Sequence, residues 1–284
     1  MFGSHLSIAG GLHNALLEAQ HLGMDCVQVF TKNQRQWKTA PLTKLQIDDW
    51  FTARRVTGIT DVISHDSYLI NLASPDRAVR EKSIGLFREE LRRCETLAIP
   101  FLVTHPGAHV GAGESQGMKR VARSLDRVHK SLPGYKTVTL LEITAGQGTT
   151  LGYTIEQLKT IIDLASDPDR LAICLDTAHL LGAGYNLSSA TGTRAVIKQI
   201  DKVVGLDRIR CIHVNDSKVE RGSRKDRHEH IGHGHVALDA FEVIVKHAAF
   251  KRVPKILETA KEKTPDGREW DAVNLEVLRA LVRR

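Results

Sequence analysis

Along this chain, short apolar runs end repeatedly in a histidine or a carboxylate. Asp61-Val62-Ile63-Ser64 leads into His65, Phe101-Leu102-Val103-Thr104 into His105, and Val138-Thr139-Leu140-Leu141 into Glu142. Leu171-Ala172-Ile173-Cys174-Leu175 leads into Asp176, Arg210-Cys211-Ile212 into His213, and Lys255-Ile256-Leu257 into Glu258. A charged carboxylate or a lone imidazole at a buried strand end is costly unless something pairs with it. So many, arriving at the same point of a local pattern, suggest a common cation. Two further patterns add to the set. Asp176-Thr177-Ala178-His179 sets a carboxylate and an imidazole three residues apart, across a strand end and its turn. In Asp226-Arg227-His228 the spacing is two, which lets an extended segment point both side chains the same way.

The candidate ligands are therefore His65, His105, Glu142, Asp176, His179, His213, Asp226, His228 and Glu258. All offer nitrogen or oxygen and none a thiolate. Such a set suits Zn²⁺ or Mn²⁺ better than a cysteine-based structural zinc. It exceeds what one ion can use, whereas two or three ions sharing a carboxylate would use it fully. A multi-metal site suits displacement at phosphorus, where ions acidify a bridging water, orient the phosphate and stabilise the leaving oxygen. A single strand-end histidine is more often a rim residue than a ligand, so the joint occurrence carries the reading. His5 ends the first strand and is expected to line the site without binding metal. His230, His233 and His235 read as loop residues around it. His13, His21, His129 and His247 fall in helical patterns and read as solvated faces.

These residues must be delivered by elements that alternate along the chain. Strand-like runs start near Phe2 and Cys26 and then end at His65, His105, Glu142, Asp176, His213 and Glu258. Helical patterns lie between them, near Leu12 to Leu22, Lys44 to Val56, Asp76 to Leu97, Met118 to Leu132, Thr154 to Ala165, Arg194 to Val204 and Leu238 to Ala248, with a last one over Asp271 to Val282. A long polar loop covers Asn215 to Gly234. Eight strand–helix units predict parallel strands in an α/β (β/α)8 TIM barrel, one domain over residues 1–284, with the metal site at the C-terminal ends of the strands. An open doubly wound sheet would call for a phosphate-binding glycine signature after the first strand, and Ala9-Gly10-Gly11 lacks that spacing.

The bulk numbers agree. The 284 residues are 42% hydrophobic, enough for one large core, and the formal charge is +7. That charge is a modest bias towards polyanions. The four cysteines, Cys26, Cys94, Cys174 and Cys211, show no C-x-x-C spacing. Cys174 and Cys211 read as small core residues, and a reducing, cytoplasmic setting fits better than a disulfide framework. No run approaches a membrane span, and no signal-peptide pattern opens the chain.

Several longer strings carry a resemblance. They are Phe30-Thr31-Lys32-Asn33-Gln34-Arg35-Gln36-Trp37, His65-Asp66-Ser67-Tyr68-Leu69-Ile70-Asn71-Leu72, His105-Pro106-Gly107, Glu142-Ile143-Thr144-Ala145-Gly146-Gln147-Gly148, Leu175-Asp176-Thr177-Ala178-His179, His213-Val214-Asn215-Asp216-Ser217-Lys218 and Arg224-Lys225-Asp226-Arg227-His228. With these, the chain from about Gly3 to Glu258 resembles the endonuclease IV family of DNA-repair enzymes. The resemblance implies a barrel with a trinuclear zinc site that incises duplex DNA 5′ to abasic sites, leaving a 3′ hydroxyl and a 5′ deoxyribose phosphate. It also implies trimming of blocked 3′ ends, and a monomer.

By position, His65, His105 and Glu142 would hold one ion. Glu142, the catalytic carboxylate, would bridge to a second ion held by Asp176, His213 and Glu258. A third would sit among His179, Asp226 and His228. Zinc is the implied ion, with Mn²⁺ admitted by the same ligands at one or more sites. Asn33, Arg35, Gln36, Tyr68 and Leu69 would contact DNA, with Arg35 in the minor groove and Tyr68 wedging the stack. Lys32, Arg35, Arg221, Arg224, Lys225 and Arg227 would meet phosphates. Ile143 departs from the pattern, since many relatives carry Asn there, which puts a hydrogen bond behind the ligands in doubt. Two other readings stay open at this point. One is a metal-dependent sugar isomerase on a related barrel. The other is a DNA-binding module whose metals are structural.

Overall fold

The computed structural model describes residues 1–283 of the chain. Its strands, in chain order, are β1 (Phe2–Leu6), β2 (Cys26–Val29), β3 (Asp61–His65), β4 (Phe101–Thr104), β5 (Val138–Glu142), β6 (Leu171–Asp176), β7 (Ile209–His213), β8 (Asp216–Ser217), β9 (His228–Glu229) and β10 (Lys255–Leu257). Eight of them close into a parallel barrel in the order β1-β10-β7-β6-β5-β4-β3-β2. The short β8 and β9 pair antiparallel in the long polar loop above it. The helices are α1 (Asn14–His21), α2 (Lys44–Thr57), α3 (Arg77–Thr96), α4 (Glu114–Lys130), α5 (Ile155–Leu164), α6 (Thr177–Ala183), α7 (Ala190–Val204), α8 (Leu238–Lys246) and α9 (Trp270–Arg283). The expected (β/α)8 fold is the one observed.

Strand alternation explains how the barrel positions its polar residues. Successive side chains on a strand face opposite ways, so residues two apart share a face. Inside the barrel lies a layer made of Cys26, Ile63, Val103, Leu140, Ala172, Cys174, Cys211 and Ile256. One two-residue step beyond Ile63, Val103, Leu140, Cys174, Cys211 and Ile256 come His65, His105, Glu142, Asp176, His213 and Glu258. The apolar layer is thus the floor on which those polar groups stand. The opposite faces of the strands pack against the helices in a larger apolar layer that includes Trp50, Phe87, Phe241 and Phe250.

Caps fix the helix starts. Thr43 and Gln46 form a reciprocal capping box on α2, Asp76 accepts from the backbone of Ala78 and Val79 on α3, and Thr154 caps α5 by accepting from the N–H of Gln157.

Four local expectations need correction. Helix α4 starts at Glu114 rather than near Met118, with Gly117 buried inside it. A Cβ at Gly117 would lie 2.7 Å from Leu151 Cδ1, so this glycine serves close packing and does not break the helix. Helix α7 starts at Ala190 rather than Arg194, capped by Ser189. The short α6 adds to the expected set, and its N-cap is the strand-end carboxylate Asp176 itself. His129 is buried rather than solvated, with Nε2 3.1 Å from Thr139 Oγ1, and burial lowers its imidazole to about 4, so it stays neutral.

Among the described residues no helix is long and apolar enough to cross a membrane. All four cysteines are free and buried.

Leu140 tests the floor directly, since it is fully buried one step below Glu142. Leu140→Ala is expected to cost about 2–5 kcal/mol in urea denaturation. A loss below about 1 kcal/mol would mean that the layer is not packed as described.

Candidate metal centre

The strand-end residues converge at the C-terminal mouth of the barrel. Glu142 stands at the centre. Its Oε2 is 3.1 Å from His65 Nε2 and 3.1 Å from His105 Nε2, and its Oε1 is 3.1 Å from His213 Nδ1. His213 Nδ1 is also 3.0 Å from Glu258 Oε2 and 3.8 Å from Asp176 Oδ2. Further round the rim, Asp226 lies 3.1 Å from His179 Nε2 and 3.2 Å from His228 Nε2. Asp176 Oδ2 is 3.6 Å from His228 Nε2, so this carboxylate reaches both neighbouring groups.

Three sets of donors are each close enough to share an ion: His65, His105 and Glu142; Glu142, Asp176, His213 and Glu258; and Asp176, His179 and His228. Cys174 and Cys211 also lie near His213 but belong to the barrel's apolar layer.

Each imidazole is aimed by what its other nitrogen touches. His65 Nδ1 donates to Asp66 O (2.9 Å), His179 Nδ1 to Ile143 O (2.8 Å) and His228 Nδ1 to Glu258 O (3.2 Å). His213 Nε2 faces Gln28 Oε1 at 2.9 Å. The remaining nitrogen of each ring points into the cluster, the usual arrangement behind a metal-ligating histidine. The Ile143 departure therefore has little consequence for His179, because the backbone carbonyl at that position accepts the hydrogen bond.

Carboxylates are held in the same way. Asp176 Oδ1 caps α6 through the N–H of His179 (2.7 Å), while Oδ2 accepts from Asn215 Nδ2 (2.7 Å). Asn215 Oδ1 accepts from the backbone N–H of Glu258 (2.7 Å). Asp216 takes the N–H groups of Gly232, Gly234 and Val236, which anchors the loop that follows His228.

The donor set fits divalent cations. The buried Nε2 atoms of His179 and His228 have no hydrogen-bond partner among the described residues, although carboxylate oxygens stand 3.1–3.2 Å away. That is the geometry of donors converging on one point rather than on each other. Two ligands of a tetrahedral zinc, each about 2.0–2.1 Å from it, lie roughly 3.3 Å apart.

Electrostatics lead the same way. Burial alone would raise the Glu142 carboxyl, but the imidazoles of His213, His105 and His179 hold it well below the usual range. Burial would likewise raise Glu258, and His213 outweighs it. Burial lowers His65, yet the hydrogen bond and charge of Glu142 lift it to about 9.

Two loops flank the cluster. Asn33, Arg35, Gln36 and Trp37 follow β2 on the rim, and Tyr68 is 65% exposed after β3, with its ring 5.7 Å from that of His65. Leu69 is half-buried beside it. Ser67 Oγ donates to Gln34 O at 2.5 Å and ties the loops together.

Lys32 does not face solvent. It is 4% exposed, its Nζ donates to Asn33 O (2.9 Å) and Gln36 O (2.8 Å), and Glu90 Oε1 lies 3.7 Å away. The expectation that Lys32 meets phosphates is therefore corrected: it is a strut under the loop. Arg93, from the same helix α3 as Glu90, adds hydrogen bonds to Thr31 O and Ala40 O. Arg221, Arg224, Lys225 and Arg227 line the opposite rim, with Arg224 stacked 4.8 Å over the Tyr153 ring.

Comparison with known proteins follows the same lines. The family model described as xylose isomerase-like TIM barrel matches residues 16–281. A protein of Geobacter sulfurreducens named "Probable endonuclease 4" is 45% identical over 282 residues, covering 99% of this chain and 94% of the relative. One of the same name from Chloroflexus aurantiacus is 45% identical over 281 residues, covering 99% and 98%. The crystal structure of endonuclease IV from Thermus thermophilus superimposes with a TM-score of 0.85 at 31% identity, over 99% of this chain and 98% of that one. The chain belongs to the endonuclease IV family.

Proposed function

We propose that this chain repairs DNA by hydrolysing the phosphodiester on the 5′ side of abasic sites in duplex DNA, giving a 3′ hydroxyl and a 5′ deoxyribose phosphate. Trimming of blocked 3′ ends belongs to the same reading. The observation that carries it is the convergence of nitrogen and oxygen donors around Glu142, between a loop pair on one rim and an arginine-rich segment on the other.

His65, His105 and Glu142 would hold one divalent cation, Glu142, Asp176, His213 and Glu258 a second, and His179, Asp226 and His228 a third, with Asp176 in reach of the last. Zinc suits these ligands, and manganese is admitted at one or more positions. When bound, such ions supply a water of lowered pKa and neutralise charge on the oxygens about phosphorus.

The chain's own groups do the rest. Glu142 presents one oxygen to the His65–His105 side and the other to His213, so it would help hold both of the first two ions. Being held anionic by those imidazoles, it stays available as a bridge. On the DNA side, Arg35 reaches from its loop into the minor groove at the lesion and Tyr68 wedges the stack open, with Leu69, Asn33 and Gln36 in contact alongside. An abasic nucleotide lacks stacking and is extruded at lower cost than a paired base, which favours the lesion. Arg221, Arg224, Lys225 and Arg227 meet backbone phosphates, giving binding that weakens with salt.

Nicking of a duplex carrying one abasic analogue tests this reading. The zinc-loaded protein should cut on the 5′ side of the lesion, and exhaustive chelation should abolish the cut. Glu142→Ala should lose activity by several orders of magnitude while keeping much of its DNA affinity. Full activity without metal, or near-normal turnover of Glu142→Ala, would overturn it.

The buried strut gives a second prediction. Glu90→Gln removes the charge beneath Lys32 and Arg93, so hydrogen exchange of residues 31–40 should speed up and discrimination between abasic and intact duplex should fall. Unchanged exchange with unchanged discrimination would remove Glu90 from that role.

A third concerns pH. A cation at His65 Nε2 must displace the proton that Glu142 holds there up to about pH 9. Zinc affinity should therefore rise with pH towards that value, with proton release visible by calorimetry in buffers of different ionisation enthalpy. Affinity that is flat from about pH 6 to 9 would contradict it.

A further inference from the structure

Gln28 is a polar residue in an apolar strand, and it is completely buried. On β2 it sits one two-residue step above Cys26 of the barrel's apolar layer. From there it reaches past β1 and β10 to the group of donors around His213. Its Oε1 is 2.9 Å from His213 Nε2. Its Nε2 donates to Glu258 Oε1 at 2.7 Å and lies 3.0 Å from His5 Nδ1. Both N–H groups and the carbonyl of this amide thus have partners.

The orientation of the amide follows from chemistry. A Glu258 carboxylate that ligates a cation only accepts hydrogen bonds, so the NH₂ end of Gln28, 2.7 Å from its Oε1, must face it. A flipped amide would set two acceptor oxygens against each other at this distance. With the NH₂ end fixed, the carbonyl is fixed opposite His213 Nε2, and that nitrogen must carry the proton. His213 Nδ1 is then the nitrogen free to ligate, and it is the one within 3.0–3.8 Å of Glu258, Glu142 and Asp176.

We propose that Gln28 is a positioning residue that selects the ligating nitrogen of His213 and braces Glu258, and so sets the affinity of the ion those two side chains share. This rests on the metal reading of the site given above. Side chains in this position behind ligands are worth about 10–100-fold in metal affinity or activity. The role differs from that of Asn215 and of the backbone carbonyls of Asp66, Ile143 and Glu258, which each contact one or two ligands from their own or a neighbouring strand end. Gln28 ties two strands from across the barrel mouth.

Zinc affinity of the wild-type protein, Gln28→Met and Gln28→Glu, measured by competition with a chromophoric chelator, tests the assignment without an activity assay. It is paired with ¹⁵N spectra of the histidine rings in the zinc-loaded proteins. Methionine keeps the length and apolar bulk but none of the three hydrogen bonds, whereas glutamate keeps the acceptor opposite His213. Gln28→Met should lose about 10–100-fold in affinity for one ion only. The wild-type protein should show His213 protonated at Nε2. Gln28→Glu should preserve that signature even where its affinity falls.

Wild-type affinity for every ion in Gln28→Met overturns the proposal and leaves the metal reading intact. So does a wild-type spectrum with the proton on His213 Nδ1, which needs no variant to fold. A wild-type chain that takes up no divalent cation overturns the metal reading and this proposal together.

Discussion

Glu142, Asp176 and Glu258 stand within a few ångströms of the same imidazole in a pocket where water hardly reaches, with Glu142 and Asp176 1% exposed or less. Like charges that close, without solvent, are tolerable only if positive charge lies between them. Protonated imidazoles supply part of it: the neighbouring carboxylates push His65 and His179 above the ordinary histidine value although burial works the other way. Divalent cations would supply it more fully, with no proton on the ligating nitrogens. The rest of the architecture can be read as what is needed to keep these mutually repelling groups in place.

The barrel meets that need by repetition. Parallel strands side by side bring equivalent positions to one level, and the two-residue alternation turns an apolar residue below into a ligand above. Six strands make the same step, from Ile63, Val103, Leu140, Cys174, Cys211 and Ile256 to their ligands. The ligands are then locked by a ring of hydrogen bonds in which backbone carbonyls, Asn215 and Gln28 aim the imidazoles and carboxylates. The flexible work falls to loops, as is usual for a rigid scaffold. Here even the loop after β2 is stiffened from beneath by Lys32, Glu90 and Arg93.

How much of this is legible in the sequence depends on how local the cause is. A strand ending in a ligand is visible because run, alternation and terminal residue are adjacent, so the barrel and the meeting of its ligands can be anticipated. Gln28, Asn215 and Asp216 escape that pattern, although a glutamine amid Cys26, Val27 and Val29 is a signal of a buried amide with a partner. Lys32 misleads because charge in a polar loop reads as exposed, and nothing nearby shows that Glu90 and Arg93, about sixty residues on, lie beneath it. His129 is legible after all, since it sits four residues after Leu125 and seven after Ala122 on the buried stripe of α4. Helix α6 is not, because its cap already serves as a strand-end carboxylate.

Anomalous X-ray scattering from crystals loaded with zinc tests the central claim most directly. Three peaks are predicted at the barrel mouth, two of them on either side of Glu142 and the third beside His179 and His228. A single peak that leaves Glu142 uncoordinated, or peaks away from the strand ends, would contradict the account.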